Sequence, residues 1–354
     1  MTQRIPPGVD CSPPLRPQGN EHDDTAPPLG ALLTGLALTL AACGGGEAPP
    51  VIPAGDIRHD YRVDATLAGG VVTVTVPRTG GGTRTLDSRE HREASWALAS
   101  PPPALAGFVS REYLLVENRS DGKTLVFANL EQNDSDATDW LVSGWWMHFP
   151  RGAAATAIAE ASERGLFFAG PELDPWPVEL PEDGTATYLG GVGGIYTYRH
   201  GPASPHVEQR GATEVAEVGA LMALEVDFAA GTLAGCIGCG RPITPQTYYL
   251  YPALPFRADP PVASPAGYQI ALADGVLTPD GVFQSDTLIV THATDADRIM
   301  ESSGRWGGQF SNVPDATGLP RRVGAGIAHA DFAEAGGTGR LEFGFAGLMP
   351  VPDG

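Results

Sequence analysis

Three β-strands in series are predicted from the stretch Ser303–Met349, whose sequence is SGRWGGQFSNVPDATGLPRRVGAGIAHADFAEAGGTGRLEFGFAGLM. Trp306–Phe310 comes first and is followed by a loop that contains two prolines. Val323–Phe332 comes next, then a tight connection at Glu334–Gly339, then Leu341–Gly347. Side chains alternate within each run, which is the period of a strand with two different faces.

The last run shows the alternation most clearly, with Leu341, Phe343 and Phe345 on one face and smaller or charged residues on the other. Glycine recurs among the small positions, at Gly307, Gly308, Gly324, Gly326, Gly344 and Gly347. It is costly in a flat sheet but useful where strongly coiled strands turn the corners of a small barrel. The stretch is therefore predicted to be the closing meander of an antiparallel β-barrel.

The composition fits an all-β chain of two domains. The 354 residues are 42% hydrophobic, which is enough for two domains of ordinary size. The 46 glycines and 33 prolines follow no collagen-like period and favour short strands and turns over long helices. We predict a C-terminal antiparallel barrel of about eight strands, preceded by a smaller β-rich, handle-like domain.

The charge excludes one class of partner. With 42 acidic against 22 basic side chains, the chain carries a formal charge of −20. Such a surface repels phosphate backbones, so nucleic-acid binding is disfavoured. Attachment to an anionic membrane surface would need a lipid or an inserted segment.

The N-terminus offers such an attachment. Leu29–Ala42 is apolar, too short to span a bilayer comfortably and of the right length for a signal-peptide core. It leads directly to Cys43 and then to a Gly/Pro-rich stretch, which resembles a bacterial lipoprotein signal with Cys43 as the lipidated residue. We therefore expect a leader at 1–43 and a tether at 44–58. The acidic segment before the core is atypical of a signal, so either translation starts further downstream or the segment is a buried helix with an incidental cysteine.

Cys236 and Cys239 form a C-x-x-C pair. In an extended strand, residues three apart face opposite ways, so a disulfide between them requires Ile237-Gly238 to turn the chain. Pro242 argues against the helix that a redox site needs. No second ligand pair is visible for zinc. A small turn disulfide is the favoured interpretation.

The handle-like domain is predicted to cover 59–180 and the barrel 184–349. In the first, the expected elements are two strands within Tyr61–Pro77, a helix over Asp87–Ala99, a hairpin of Glu112–Val116 with Thr124–Leu130, and a packing strand at Trp140–Phe149. In the second, Thr185–Leu189 and Ile195–Arg199 are expected as strands split by Gly190–Gly194. They precede the pairs Val218–Phe228 with Thr232–Ile237 and Tyr268–Ala273 with Val282–His292.

Several of these motifs resemble the β-barrel domain of transferrin-binding protein B and related bacterial surface lipoproteins. The residues that carry the resemblance are Ser303–Phe310, Ala330–Phe332, Phe343–Phe345 and the Thr185–Tyr196 segment. The resemblance implies a protein that is lipid-anchored at the outer membrane, exposed at the cell surface, and captures a host or environmental partner. This chain has one handle and one barrel against the two lobes of the transferrin receptor, which puts transferrin itself in doubt as the ligand.

No catalytic constellation can be assembled from the sequence. The nucleophile elbow, the zinc-protease helix and the phosphate loop are all absent. His329 and Asp331 lie on one side of a strand, and Ser311 is a possible third member of a triad, but a His–Asp pair on a polar barrel face is the commoner explanation. The acidic loop Glu131–Asp139 is a possible calcium site, equally well explained as a solvated turn. We therefore predict a non-catalytic protein without cofactor or metal.

Binding is expected in loops, because the barrel strands fix the frame and loops vary freely. The candidate ligand-binding residues are Tyr248, Tyr249, Tyr251, Asn312, Arg321 and Arg322, of types that dominate interface energetics. The tyrosines would also serve simply to seal one barrel end. The ligand, a protein or a small solute, is not identified by the sequence, and a periplasm-facing accessory lipoprotein is the alternative function.

Overall fold

The computed structural model describes residues 63–78, 81–88, 93–97, 109–133, 136–152, 161–171, 180–182, 184–239, 243–245, 266–279, 281–311 and 323–349. The predicted leader, the tether and Cys43 lie outside these residues. No α-helix occurs in the described ranges, and a single 3-10 turn is found at Val207–Gln209. No helix in this part of the chain is long and apolar enough to cross a membrane.

Eight strands form the handle, in two sheets. They are β1 (Asp64–Ala68), β2 (Val71–Pro77), β3 (Thr83–Asp87), β4 (Glu93–Ala97), β5 (Val109–Arg119), β6 (Gly122–Gln132), β7 (Trp140–Pro150) and β8 (Glu163–Ala169). The first three make one antiparallel sheet, and β4 to β8 make a second, five-stranded one. Both sheets follow chain order, so each is a simple meander.

The barrel follows. Its strands are β9 (Thr185–His200), β10 (Thr213–Asp227), β11 (Thr232–Ile237), β12 (Thr244–Pro245), β13 (Tyr268–Leu277), β14 (Val282–Ser285), β15 (Thr287–His292), β16 (Glu301–Phe310), β17 (Val323–Glu334) and β18 (Gly337–Leu348). Successive strands pair antiparallel, and the last pairs with the first along twelve residues. With β14 and β15 counted as one strand interrupted at Asp286, and with β12 as a short addition to β10, this is a closed eight-stranded barrel. The predicted fold class is confirmed.

Aromatic rings fill the barrel, and several of them lie where a neighbouring strand has glycine. A Cβ at Gly194 would overlap Phe343, and one at Gly308 would meet the ring of Phe283 at 2.7 Å. Trp306 is fully buried and donates its indole N–H towards the Ala273 and Thr287 carbonyl oxygens, at 3.2 and 3.1 Å. The barrel glycines thus make room for rings, in addition to any role in bending the strands.

The five-stranded sheet buries both of its faces. On β7, Trp140, Val142 and Trp146 pack on the three-stranded sheet, whereas the alternate residues Leu141 and Trp145 pack towards the outer wall of the barrel. This explains why the predicted packing strand is apolar on both sides. The five-stranded sheet is therefore the middle layer between the three-stranded sheet and the barrel.

At two points of contact, the barrel wall beneath the handle has glycine and therefore no side chain. The ring of Phe127 occupies the place where a Cβ at Gly193 would lie, and a Cβ at Gly344 would overlap the backbone nitrogen of Gly144. Asn129 fixes the same contact by donating a hydrogen bond from Nδ2 to the Gly191 carbonyl oxygen at 3.0 Å. The handle therefore packs on barrel backbone.

Two sequence expectations are wrong. The helix expected over Asp87–Ala99 is replaced by the end of β3 and by β4, because Glu93–Ala97 pairs along its whole length with β5. The expected break at Gly190–Gly194 is absent, since β9 runs unbroken for 16 residues. Those glycines meet rings inside and the handle outside, so tertiary packing overrides the local signal in both cases.

Substitution of Gly193 by alanine is expected to destabilise the protein by about 1–3 kcal/mol, because the new methyl group overpacks against the Phe127 ring. The measurement is the free energy of unfolding in urea. Phe127→Leu supplies the control: in that background the added cost of Gly193→Ala should largely disappear. Equal costs in both backgrounds would show that the ring is not what requires glycine at this position.

Candidate functional site: the mouth of the barrel

The direction of each strand determines at which end of the barrel its connecting loops lie. We call the end that contains His200, Tyr268 and Glu334 the mouth, and the end that contains Asp227 and Phe310 the base. The β9–β10, β11–β13, β15–β16 and β17–β18 connections lie at the mouth, and the β10–β11, β13–β14 and β16–β17 connections lie at the base.

The predicted ligand-binding residues belong to different ends. Tyr248, Tyr249 and Tyr251 belong to the connection that leaves after β12 and returns at β13, whereas Asn312, Arg321 and Arg322 belong to the β16–β17 connection. All six lie outside the described residues. Because their anchoring strands end at opposite ends of the barrel, the two segments are not attached around one common surface.

Cys236 and Cys239 are joined by a disulfide, with 5.8 Å between their Cα atoms. Gly238 has a φ of 86°, so the turn that the sequence requires between the two cysteines is made in the left-handed region. The Gly238 amide donates to the Leu221 carbonyl oxygen at 2.7 Å. The disulfide thus closes a turn where β11 ends.

A carboxylate organises the mouth. Glu334 Oε1 accepts hydrogen bonds from Tyr268 Oη at 2.5 Å and from Arg298 Nε at 2.7 Å, while Tyr198 Oη lies 3.5 Å from its second oxygen. The Arg298 guanidinium also lies over the Tyr268 ring, 4.9 Å from its centre, and donates to the hydroxyl of that residue. Its third nitrogen is 3.1 Å from His292 Nε2, so Glu334, Tyr268 and His292 together hold this cation.

A histidine cluster lies beside this network. His200 is 2% exposed, with Nδ1 3.0 Å from Ser204 Oγ and Nε2 3.3 Å from Glu214 Oε1. The His206 ring packs edge-on against it at 6.0 Å between centroids. The Ser204 carbonyl oxygen accepts from two nitrogens of Arg210, which fixes the β9–β10 connection around the histidine.

The tyrosines at the mouth stay protonated at neutral pH and donate hydrogen bonds. Burial raises the pKa of Tyr198 to about 12, and the nearby Glu334 carboxylate acts in the same direction. Burial likewise raises the pKa of Tyr196 and of Tyr268, and the nearby Glu334 carboxylate acts in the same direction on both. The phenols therefore keep their protons and serve as hydrogen-bond donors and aromatic surfaces.

A cleft of about 680 Å³ opens at the mouth, between the His200 cluster and the Glu334 network. Its lining includes Asp295, Asp297 and Met300, whose side chain is 60% exposed. A second cleft of about 840 Å³ lies at the base and carries acidic groups and threonines, with Val276 58% exposed. The mouth is the richer of the two in aromatic and ionisable groups of both signs.

The triad that the sequence allowed does not form. His329 Nε2 is 3.1 Å from Asp331 Oδ2, and Arg340 Nε donates to the other oxygen of Asp331 at 2.7 Å. Ser311 instead donates its amide to the Val323 carbonyl oxygen. That position is six residues along β17 from His329, roughly 20 Å at the rise of a strand. Although partial burial opposes the effect, the hydrogen bonds from His329 and Arg340 hold the pKa of Asp331 below its usual range.

Among the described residues, no group of three or more histidine, cysteine or carboxylate side chains has the geometry to hold a metal ion. Part of the acidic Glu131–Asp139 loop, including Asp134, lies outside those residues. In the rest, Asn133 Nδ2 donates to Asp139 Oδ2 at 3.1 Å, and Asp136 accepts from Thr138. These carboxylates order a turn.

The fold thus defines the class of protein: an eight-stranded antiparallel barrel with a layered β-handle on one wall and a polar mouth. Comparison with protein-family models, with curated proteins and with solved structures finds no match. The resemblance to the barrel of transferrin-binding protein B remains a prediction from the residues quoted above.

Most of the mouth residues were not singled out from the sequence. Tyr196, Tyr198 and His200 recur with period two in a single run, which is a signal for one polar-aromatic face of a strand. Arg298 lies in the β15–β16 connection and Glu334 is the last residue of β17, so their pairing depends on barrel closure and has no local signature.

Arg298→Met is expected to lower the free energy of unfolding by about 1–3 kcal/mol, because Glu334 would remain buried without its cation. Arg305→Met is the matched control. Arg305 pairs at 3.6 Å with a largely exposed Asp286, so its loss should change stability by less than about 0.5 kcal/mol. Thermal and urea unfolding measure both, and similar losses for the two variants would contradict a structural role of the mouth network.

Proposed function

We propose that this chain is a non-catalytic binding protein, anchored by a lipid at the outer membrane, whose barrel mouth captures a protein or small solute. One observation carries this proposal: the polar, aromatic and charged groups of the barrel converge around an open cleft at the mouth. Among the described residues, the interior is lined by buried rings such as Phe283 and Trp306. A ligand of this barrel would therefore bind at an end.

The mouth favours recognition over chemistry. Glu334 and Arg298 satisfy each other, and the tyrosines around them keep their protons, so these side chains offer fixed donors, a ring face and charges of both signs. A general base or nucleophile would need a poised, reactive group in the cleft. Preorganised polar groups on a rigid frame are what binding sites require.

Two features of the chain support export from the cytoplasm and, with it, the proposed anchored location. The Cys236–Cys239 disulfide is of a kind that persists in oxidising compartments. The apolar segment that ends at Cys43 provides the expected signal and acylation residue.

A single charge at the rim of the mouth tests the binding site. Met300→Asp is expected to weaken capture of the ligand by about tenfold or more, because it places a charge where an apolar contact is available. Val276→Asp at the base is the matched control, since this side chain is also apolar and similarly exposed. The ligand is first isolated by pull-down from host fluid or growth medium, and titration then compares the variants. Loss of capture with Val276→Asp alone would transfer the site to the base.

The anchor has its own test. Cys43→Ser should abolish incorporation of labelled palmitate and release the protein from the membrane fraction, whereas Cys11→Ser should change neither. Protease treatment of intact cells then separates the two possible orientations. Cleavage on whole cells indicates surface exposure, and protection until lysis would favour the periplasm-facing alternative.

A further inference from the structure

Two buried glutamates face the contact between handle and barrel. Glu112 lies on β5, on the same face as Leu114, and Glu217 lies on β10, on the same face as Val215. Leu114 and Val215 belong to one hydrophobic cluster that joins the handle to the barrel wall. The two carboxyl groups therefore lie on the two surfaces that meet there, and they are 8% and 3% exposed.

Neither carboxyl group is paired with a positively charged side chain among the described residues. Oε2 of each lacks a hydrogen-bond partner within the described part of the chain. Across the strands, Glu112 is opposite Asn129, whose amide donates to the Gly191 carbonyl oxygen, and Glu217 is opposite Ile195. Burial of an unpaired carboxylate in an apolar contact is energetically unfavourable, and binding a proton removes its charge.

The charged groups on the surrounding strands do not serve as partners. On the barrel, Arg340 pairs with Asp331, and Arg164 of β8 pairs with Glu342 at 3.3 Å. Lys123 lies six residues from Asn129 along β6, roughly 20 Å away, and Arg199 lies four residues from Ile195 along β9, roughly 13 Å away. Glu131, two residues from Asn129 on the same face, is a further acidic group and supplies no positive charge. The local surroundings therefore favour the neutral acids.

We propose that the handle–barrel contact is a pH-sensitive junction, tight while Glu112 and Glu217 carry their protons and loosened once both are ionised. Loosening would uncover the glycine-lined outer wall of β9 and β18. The device is independent of the mouth and of whatever ligand binds there.

The titration behaviour agrees with this geometry. Burial raises the pKa of Glu112 to about 8. Burial also raises the pKa of Glu217 well above its usual value, and repulsion from Glu112 adds to the effect. A group whose pKa is higher in the folded state binds more protons there than when unfolded, so stability falls as pH rises from the unfolded value towards the folded one. For Glu112 that window runs from about pH 4.5 to about pH 8.

The first test is the unfolding equilibrium of the full chain between pH 5 and 8. Each titrating carboxyl should increase the unfolding constant by about tenfold per pH unit. Glu112→Gln and Glu217→Gln, which imitate the protonated acids, should each reduce this slope, and the double variant should lose most of it. Glu225→Gln, on the same strand and outward face as Glu217 but exposed, should leave the slope unchanged.

The second test observes the junction directly and needs no variant at either glutamate. Fluorotryptophan NMR of the wild-type chain, assigned by Trp→Phe replacements, compares Trp145 on the barrel-facing side with Trp140 and Trp146 on the opposite side. Between pH 6 and 9 the Trp145 signal should shift or broaden while the other two stay constant.

Either of two results would overturn the proposal. One is an equal slope in wild type and double variant. The other is a Trp145 signal that does not change across the pH range, or that changes only together with those of Trp140 and Trp146.

Discussion

The handle packs directly on bare backbone of the barrel wall, and the layered arrangement of the protein depends on this contact. At Gly193 and Gly344 the outer wall has no side chain, so the Phe127 ring and the Gly144 backbone approach the barrel directly. Such close packing makes the five-stranded sheet an interior layer, apolar on both faces. The handle therefore covers one wall of the barrel.

Inside the barrel the same complementarity operates with rings. Phe343 and Phe283 lie where Gly194 and Gly308 leave space, and the centre is filled. The mouth and the base lie at opposite ends of the barrel and differ in chemistry. The charged network of Glu334 and Arg298 lies at the mouth, beside the cleft where we propose that a ligand binds.

Alternation in the closing meander was enough to predict the barrel, because large and small side chains alternate along β18 even though the handle covers its outer face. It was not enough where glycine interrupts the pattern or where pairing is distant. Gly190–Gly194 looked like a break because a glycine run signals a turn locally, and only the barrel register shows which ring or strand each residue meets. Asp87–Ala99 looked helical because its pairing partner, β5, begins more than ten residues later.

The candidate site was less predictable for the same reason. Tyr198 and His200 share a strand and a period, but Glu334 and Arg298 reach them only because β17 and β15 end at the mouth. Loop composition directed attention to Tyr248 and Arg321, on connections that leave from opposite ends. Direction along a strand, which composition does not encode, decides which loops are neighbours.

The contrast between two sets of acids links these features. Glu334 is buried at the mouth with an arginine and a tyrosine bonded to it, whereas Glu217 is buried at the handle contact with an oxygen that no described group satisfies. A carboxylate that is bonded to its partners fixes its surroundings in one arrangement, whereas an unsatisfied buried one makes its surroundings depend on a proton. The network at the mouth therefore fixes the side chains around Glu334, and the junction with the handle is where we propose that stability changes with pH.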